Sequence, residues 1–266
     1  MAASRTIIRT RPTCTTCDDL ILAVKQTNAD LGLAFDGDGD RLGVVTRARV
    51  TSIFPDRLLM LFAMDVLSRN PARSHHLRRE MHRALCRTHP AHGGSPMMWK
   101  TGHSLIKAKM REEESAQLAG EMSGHFFFAE RWYGFDDGIY AAARLLEILA
   151  GIATRRRTAG EILATLPKGV STPELKIPNC VEGEHYAVHR ALQGERAKFP
   201  KARKPDHHRR RARRLVKDGW GLVRASNTTP CLVLRFDALN KIGLDRIQES
   251  FRGQLLAVDP NLNLPF

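Results

Sequence analysis

Asp36, Asp38 and Asp40 stand two residues apart with Gly37 and Gly39 between them, and an apolar stretch of strand length lies on either side. Carboxylates crowning a tight turn at the end of a buried strand make a cation site. The glycines allow backbone angles that other residues resist, the oxygens converge, and two or three carboxylates suit a hard ion such as Mg²⁺. An EF-hand loop is a poor match, because Gly39 takes its fifth position, no acid follows seven residues after Asp40, and the flanks read as strands. A merely solvated acidic turn is the competing reading.

Three later stretches are equally particular. Gly93-Gly94-Ser95-Pro96 leads into Lys100-Thr101-Gly102-His103-Ser104, Gly120-Glu121-Met122-Ser123-Gly124-His125 follows, and Arg224-Ala225-Ser226-Asn227-Thr228-Thr229-Pro230 comes last. In this order, after Asp36-Gly37-Asp38-Gly39-Asp40-Arg41, they resemble the α-D-phosphohexomutases, the phosphomannomutase/phosphoglucomutase family. The resemblance covers most of residues 18 to 72, 93 to 200 and 216 to 266. That is roughly the C-terminal three fifths of a member.

The resemblance implies a phosphotransferase that moves a phosphoryl group between the 1- and 6-positions of a glucose or mannose phosphate by way of a phosphoserine. Asp36, Asp38 and Asp40 would then hold Mg²⁺, and Arg41 would reach toward sugar or phosphate. Lys100, Thr101, Gly102 and His103 would line the substrate, and Glu121 and Ser123 would accept hydrogen bonds from sugar hydroxyls. His103 and His125 would touch substrate or move a proton. Arg224, Ser226, Asn227 and Thr228 would grip the phosphate that does not react, with a guanidinium, hydroxyls, an amide and loop N–H groups.

Two departures count against activity. No Thr-Ala-Ser-His-Asn-Pro-like stretch, which would carry the phosphoserine in the family's first domain, occurs in the 266 residues. Glu80 stands near the place of a family lysine. The expectation is a truncated, inactive copy, prone to aggregate through exposed sheet edge.

The elements that must carry these loops alternate between helix and strand, so the fold class expected is α/β. The resemblance implies mixed sheets flanked by helices, with a smaller α+β domain at the C-terminus. Asp18 is read as the cap of a helix with Leu20, Ile21 and Val24 on one face. Pro55 opens a densely apolar helix that ends at Asn70-Pro71, and Ser104 is read as the cap of a helix with Leu105, Ile106 and Met110 on one side. Asp136 or Asp137 caps another, whose buried face is read as Ile139, Ala142, Ala143, Leu145, Leu146 and Leu149. Helical spacing from Val181 to Leu192 precedes two strands, 220–224 and 231–236, and a last helix presents Ile242, Ile247, Phe251 and Leu255. Boundaries are expected at 1–50, 51–165 and 166–266.

A formal charge of +14 invites a nucleic-acid reading, centred on His207-His208-Arg209-Arg210-Arg211-Ala212-Arg213-Arg214. No aromatic residues interleave that run, so no specific nucleic acid is expected. No apolar run is long enough for a bilayer and no signal peptide is evident, so no membrane partner is expected and the location is read as cytoplasmic. Cys14 and Cys17 could be half a zinc site, and His82, Cys86, His89 and His92 another. Each lacks a clean partner set, and an unstructured leader and a histidine-rich oddity are preferred.

The charge is concentrated. Residues 73–92 hold five Arg against one Glu, and residues 201–217 hold nine Lys or Arg against one Asp. The first of these falls where the resemblance calls for a buried strand, and such a composition cannot line a core without burying charge at several kcal/mol per ion. Suitably chosen synonymous codons for residues 75–83, read one nucleotide later, give Ile-Ile-Tyr-Asp-Val-Lys-Cys-Thr. The same move on residues 206–214 gives Thr-Thr-Ile-Asp-Gly-Val-Arg-Val, and residues 4–17, read one nucleotide earlier, also become family-like. The expected cause is a set of compensated frameshifts. Resequencing the locus checks this: insertions or deletions should bracket all three segments, and an intact reading frame would refute it.

Overall fold

In the computed structural model the described residues are 17–47, 53–70, 75–78, 95–99, 102–153, 158–166, 169–178, 212–216, 219–226 and 230–266. Among the residues singled out above, Lys100, Thr101, Asn227, Thr228, Cys14, Glu80, the histidines and cysteine of 82–92, the stretch 181–192 and the basic run up to Arg211 lie outside them. The chain divides into two compact units, Met1–Pro167 and Lys168–Phe266.

The first unit opens with α1 (Asp18–Thr27), β1 (Leu31–Phe35) and β2 (Leu42–Thr46). Cys17, not Asp18, occupies the N-cap, and Asn28 ends α1 in the left-handed region at φ 54°. Asp18 instead lies in the first turn, where a carboxylate complements the helix dipole. β1 and β2 form an antiparallel pair with Phe35 opposite Leu42, so residues 36–41 are the turn. β2 is buried along its whole length.

α2 (Pro55–Arg69) begins at its proline as read, and β3 (His75–Arg78), β4 (Ser95–Met98), β5 (Ala116–Gly120) and β6 (Phe126–Phe128) build a sheet in the order β4-β3-β5-β6. β3 is parallel to both β4 and β5, while β6 returns antiparallel to β5, so the sheet is mixed. The charged segment therefore does supply a central strand, against the expectation from its composition. Backbone N–H and C=O groups pair whatever the side chains are, and β3 completes the ladder between β4 and β5.

Alternation in β6 shows how the sheet is covered. Phe126 and Phe128 join the core formed by α2, β2 and a later helix, with Phe62 edge-on to both at 5.1 Å, while Phe127 packs with Ile106 and Met110 of α3 (His103–Glu112). Leu105 is exposed, so the apolar side of α3 is narrower than read. Gly102 precedes α3 at φ 121°, and Ser104 lies inside the helix rather than capping it.

α4 (Gly138–Ala153) and α5 (Ala159–Ala164) complete the unit, α5 through a Thr158–Glu161 capping box. α4 is rotated from the face read in the sequence. Ala141, Ala142, Arg144, Leu145, Ile148 and Leu149 are buried, whereas Ile139 and Leu146 face out. Arg144 is the reason: its Nη2 lies 2.9 Å from Asp65 Oδ2 and 2.7 Å from Glu130 Oε2, and its guanidinium stacks over Phe128 at 4.6 Å.

In the second unit β7 (Val170–Ser171), β8 (Leu175–Pro178), β9 (Ala212–Val216), β10 (Gly219–Ala225) and β11 (Cys231–Ala238) are antiparallel neighbours. β10 and β11 pair as read, with β9 on the far edge of β10, and α6 (Lys241–Val258) seats Leu244, Ile247, Phe251 and Leu255 in their core. Ile242 is exposed instead.

The ion cluster in the first unit sets a pH response. Burial alone would raise the Asp65 carboxyl, but hydrogen bonds from Arg69 and Arg144 outweigh it and hold the group below its ordinary value. Burial acts the same way on Glu130, and Arg69 with the Arg144 charge again reverses it. Both folded values are depressed, so the stabilisation is complete above the ordinary carboxylate range and disappears as pH falls through the folded values. Arg144→Ala is expected to cost ~1–3 kcal/mol, since it removes one of the two guanidiniums that hold Asp65 and Glu130 and leaves Arg69 on both. Denaturant melts at neutral and acid pH check both statements: the variant should lose part of the acid dependence, with the share due to Arg69 retained.

Candidate metal and substrate site

The turn from β1 to β2 is fixed by its own backbone. Asp36 accepts at its carbonyl from Gly39 N–H at 3.2 Å and at Oδ1 from Arg41 N–H at 3.1 Å, and Gly39 adopts φ 76°. That left-handed angle favours a residue without Cβ. Asp36, Asp38 and Asp40 thereby bring one carboxylate oxygen each to within 4.8 Å of one another. The Asp40 carboxyl is raised above its usual value by burial first and by the neighbouring Asp36 and Asp38 charges, with His125 pulling the other way. Crowded hard oxygens, with the ionised form of Asp40 disfavoured, are a set that a divalent cation would relieve.

A second loop is stitched onto this one. Arg41 and His125 form an isolated antiparallel bridge, and Leu42 N–H donates to Gly124 O at 3.1 Å. The 121–125 turn is closed by Gly124 N–H to Glu121 O at 3.1 Å and by Glu121 N–H to His125 O at 2.9 Å. Glu121 is buried, and its Oε1 accepts from Gly102 N–H at 2.8 Å, which fastens the start of α3 to the same place. Ser123 is half-buried on the turn. The structure therefore brings Asp36, Asp38, Asp40, Arg41, Gly102, His103, Glu121, Ser123 and His125 together.

Arg41 folds back on its own loop. Its Nε lies 3.1 Å from Asp36 Oδ2 and donates to His125 Nε2 at 3.2 Å. His103 is about half exposed at the head of α3, its ring stacked on that of buried His125 at 6.1 Å.

Sequence reasoning missed two residues here. Asp136 and Asp137 were both candidate caps, and Asp137 takes that role by accepting Tyr140 N–H at 2.8 Å. Asp136 turns inward: its Oδ2 lies 3.1 Å from His125 Nδ1, and its Oδ1 accepts from Lys107 Nζ at 2.8 Å. The available signal was the tandem itself, because one helix start uses one cap and leaves the other carboxylate to be explained. Nothing in the sequence near Lys107 marked it.

In the second unit Arg224 is buried at the end of β10, with Nη2 3.8 Å from Glu174 Oε2. Ser226 is buried beside it and donates its N–H to Cys231 O at 2.9 Å, turning the chain into β11.

Comparison with known proteins bears on this geometry. A family model described as phosphoglucomutase/phosphomannomutase, alpha/beta/alpha domain III, matches residues 54–169. The corresponding domain II model matches residues 8–49 and the C-terminal domain model residues 182–254, so together the three take in most of the chain. The chain belongs to the phosphoglucomutase/phosphomannomutase family.

A phosphomannomutase/phosphoglucomutase of Pseudomonas aeruginosa is 51% identical over 262 residues, covering 93% of this chain and 52% of that protein. A phosphoglucomutase of Neisseria meningitidis is 47% identical over 262 residues, again covering 93% of this chain and 52% of the relative. The crystal structure of a phosphoglucomutase/phosphomannomutase family protein from Burkholderia thailandensis superposes with a TM-score of 0.79 at 50% identity, covering 95% of this chain and 52% of that one. The chain thus spans about half the length of the relatives it matches. A phosphomannomutase fold from Thermus thermophilus, at 18% identity and a TM-score of 0.62, covers 91% of this chain and 50% of that one and agrees on the fold. Among the described residues no helix is long and apolar enough to cross a membrane.

Gly138 tests the acidic turn. Its N–H donates to Gly39 O at 2.9 Å, and a Cβ placed on it would lie 2.6 Å from Arg41 O and 2.8 Å from Gly39 O. Those are backbone atoms and cannot swing aside. Gly138→Ala should push the turn open at ~1–3 kcal/mol and weaken divalent-cation binding by about tenfold or more. Calorimetric titration of the full chain with MgCl₂, alongside an unchanged circular-dichroism spectrum, is the check.

Proposed function

We propose that this chain is the metal-, sugar- and phosphate-binding portion of a phosphomannomutase/phosphoglucomutase acting on glucose or mannose phosphates. The observation that carries the reading is the Arg41–His125 bridge, which seats the family's sugar-recognition turn against its acidic turn. In this reading the chain holds three parts of the family architecture, with divisions near residues 50 and 165, and the first carries the acidic turn.

Asp36, Asp38 and Asp40 would hold Mg²⁺, and the ion, when bound, supplies positive charge beside a transferring phosphoryl group. Arg41 holds Asp36 and His125 in register, while Glu121 and Ser123 would offer a carboxylate and a hydroxyl to the sugar. His103 and His125 would take or return a hydroxyl proton, a reading supported by their stacked rings beside the acidic turn, with Lys100 and Thr101 preceding His103 in sequence. Arg224 and Ser226, continued in sequence by Asn227 and Thr228, supply the donors for the distal phosphate.

The 266 residues contain no serine loop of the family's type, so the chain alone binds hexose phosphate without turning it over. No observation favours the nucleic-acid alternative: the basic run at 201–217 falls inside the segment matched by the family's C-terminal domain model.

Glucose 1-phosphate and mannose 1-phosphate, titrated into the full chain with and without MgCl₂, give the test. Binding should be saturable and should weaken when Asp38→Asn removes one carboxylate from the cation site. Absence of any hexose-phosphate binding would overturn the reading, and conversion to the 6-phosphate by the chain alone would overturn its inactive part.

A further inference from the structure

Beside the acidic turn lies a buried contact with an unusual feature. His125 Nδ1 and Asp136 Oδ2 are both fully covered and stand 3.1 Å apart, yet neither is in hydrogen-bond geometry with any group among the described residues. His125 is 6% exposed and Asp136 8%. On the other side of the imidazole, Arg41 Nε donates to Nε2, and on the other side of the carboxylate, Lys107 Nζ donates to Oδ1.

Two uses of this arrangement compete. Asp40, His125 and Asp136 offer ligand atoms within 4.8 Å of one another and could be a second metal site. A metal on Nδ1 needs the ring proton at Nε2, where it would face the Arg41 N–H, donor against donor. The Arg41 contact requires Nε2 to accept, so the proton of a neutral ring belongs on Nδ1, the nitrogen that lies 3.1 Å from Asp136 Oδ2. We propose that Asp136, anchored by Lys107, is a positioning residue that fixes His125 in the Nδ1–H tautomer and leaves Nε2 as its accepting nitrogen. This rests on the reading of His125 as a substrate-side residue, although the tautomer itself can be observed without any substrate.

Asp136 is suited to the role. Burial pushes its carboxyl up, but the contacts with His125 and Lys107 more than reverse this and keep it ionised as an acceptor. Asp40 Oδ2 is the next oxygen to Nδ1, at 3.5 Å, and His103 Nδ1 lies 3.8 Å from Asp136 Oδ2. Asp136 is therefore the nearer carboxylate to His125 Nδ1, and His125 the nearer of the two imidazoles to Asp136 Oδ2.

Lys107 makes the idea sharply testable. In Asp136→Asn, the lysine ammonium can only donate, so it selects the amide oxygen and turns the NH₂ toward His125. Nδ1 must then accept, and the ring proton moves to Nε2. The experiment is a long-range ¹H–¹⁵N correlation spectrum of the full chain, ¹⁵N-labelled on histidine, recorded above the ordinary imidazole range. The wild-type His125 ring should be predominantly the Nδ1–H form, Asp136→Asn should invert it, and adding Lys107→Met should let the amide turn back and restore it.

A wild-type ring in the Nε2–H form overturns the proposal with no variant needed. An unchanged ring in a folded Asp136→Asn chain overturns it as well, as does coordination of added stoichiometric Zn²⁺ by Nδ1. If the tautomer inverts while no hexose phosphate binds, the positioning role stands and the functional reading falls.

Discussion

The pairing of two turns through Arg41 and His125 is the constraint on which the first unit depends. The acidic turn is short and carries three like charges, and it stays closed through the Arg41 N–H on Asp36 and the Gly138 N–H on Gly39. The second turn is closed by hydrogen bonds between Glu121, Gly124 and His125. Either turn alone is a common piece of surface. Joined by a backbone bridge, they put three clustered carboxylates beside a buried glutamate and two stacked histidines.

Behind that junction the packing is arranged to hold it still. β2 is buried throughout, and its Leu42 and Val44 share a core with α2, α4 and the phenylalanines of β6. The acidic turn therefore rises from a wall rather than a free hairpin. Arg144 contributes on the same core by tying α4 to Asp65 of α2 and to Glu130 just past β6, and α4 in turn begins at the glycine that touches the acidic turn. Buried charge of this kind adds little net stability over a hydrophobic substitute, but it fixes the rotation of α4. A rotation by one residue would bring Ile139 or Leu146 inward and carry Gly138 away from Arg41.

The sheet of the first unit shows why composition misled at residues 75–78. Charged and imidazole side chains made the segment look unfit for a core, yet its backbone is paired on both edges. Strand position follows from the ladder, which is set by β4 and β5 on either side. The helix faces failed for a related reason: periodicity ranks Ile139, Leu146, Leu105 and Ile242 as apolar and has no term for a buried arginine or for the limited area available on a sheet.

By itself the sequence determined the acidic turn, the alternation of helix and strand, the β10–β11 pair and the family, because each is written in local spacing: acids and glycines at fixed offsets, apolar residues at a helix or strand period. Only the tertiary structure decided that Asp137 is the cap and Asp136 the neighbour of His125, that Lys107 belongs to the same group, and that Arg41 Nε lies between Asp36 of its own loop and His125 of the other. Those assignments join residues separated by up to 95 positions in the chain, Arg41 to Asp136 through His125. No local pattern encodes a contact between a turn, a helix start and a second turn, since it exists only once the core behind them has set their distance.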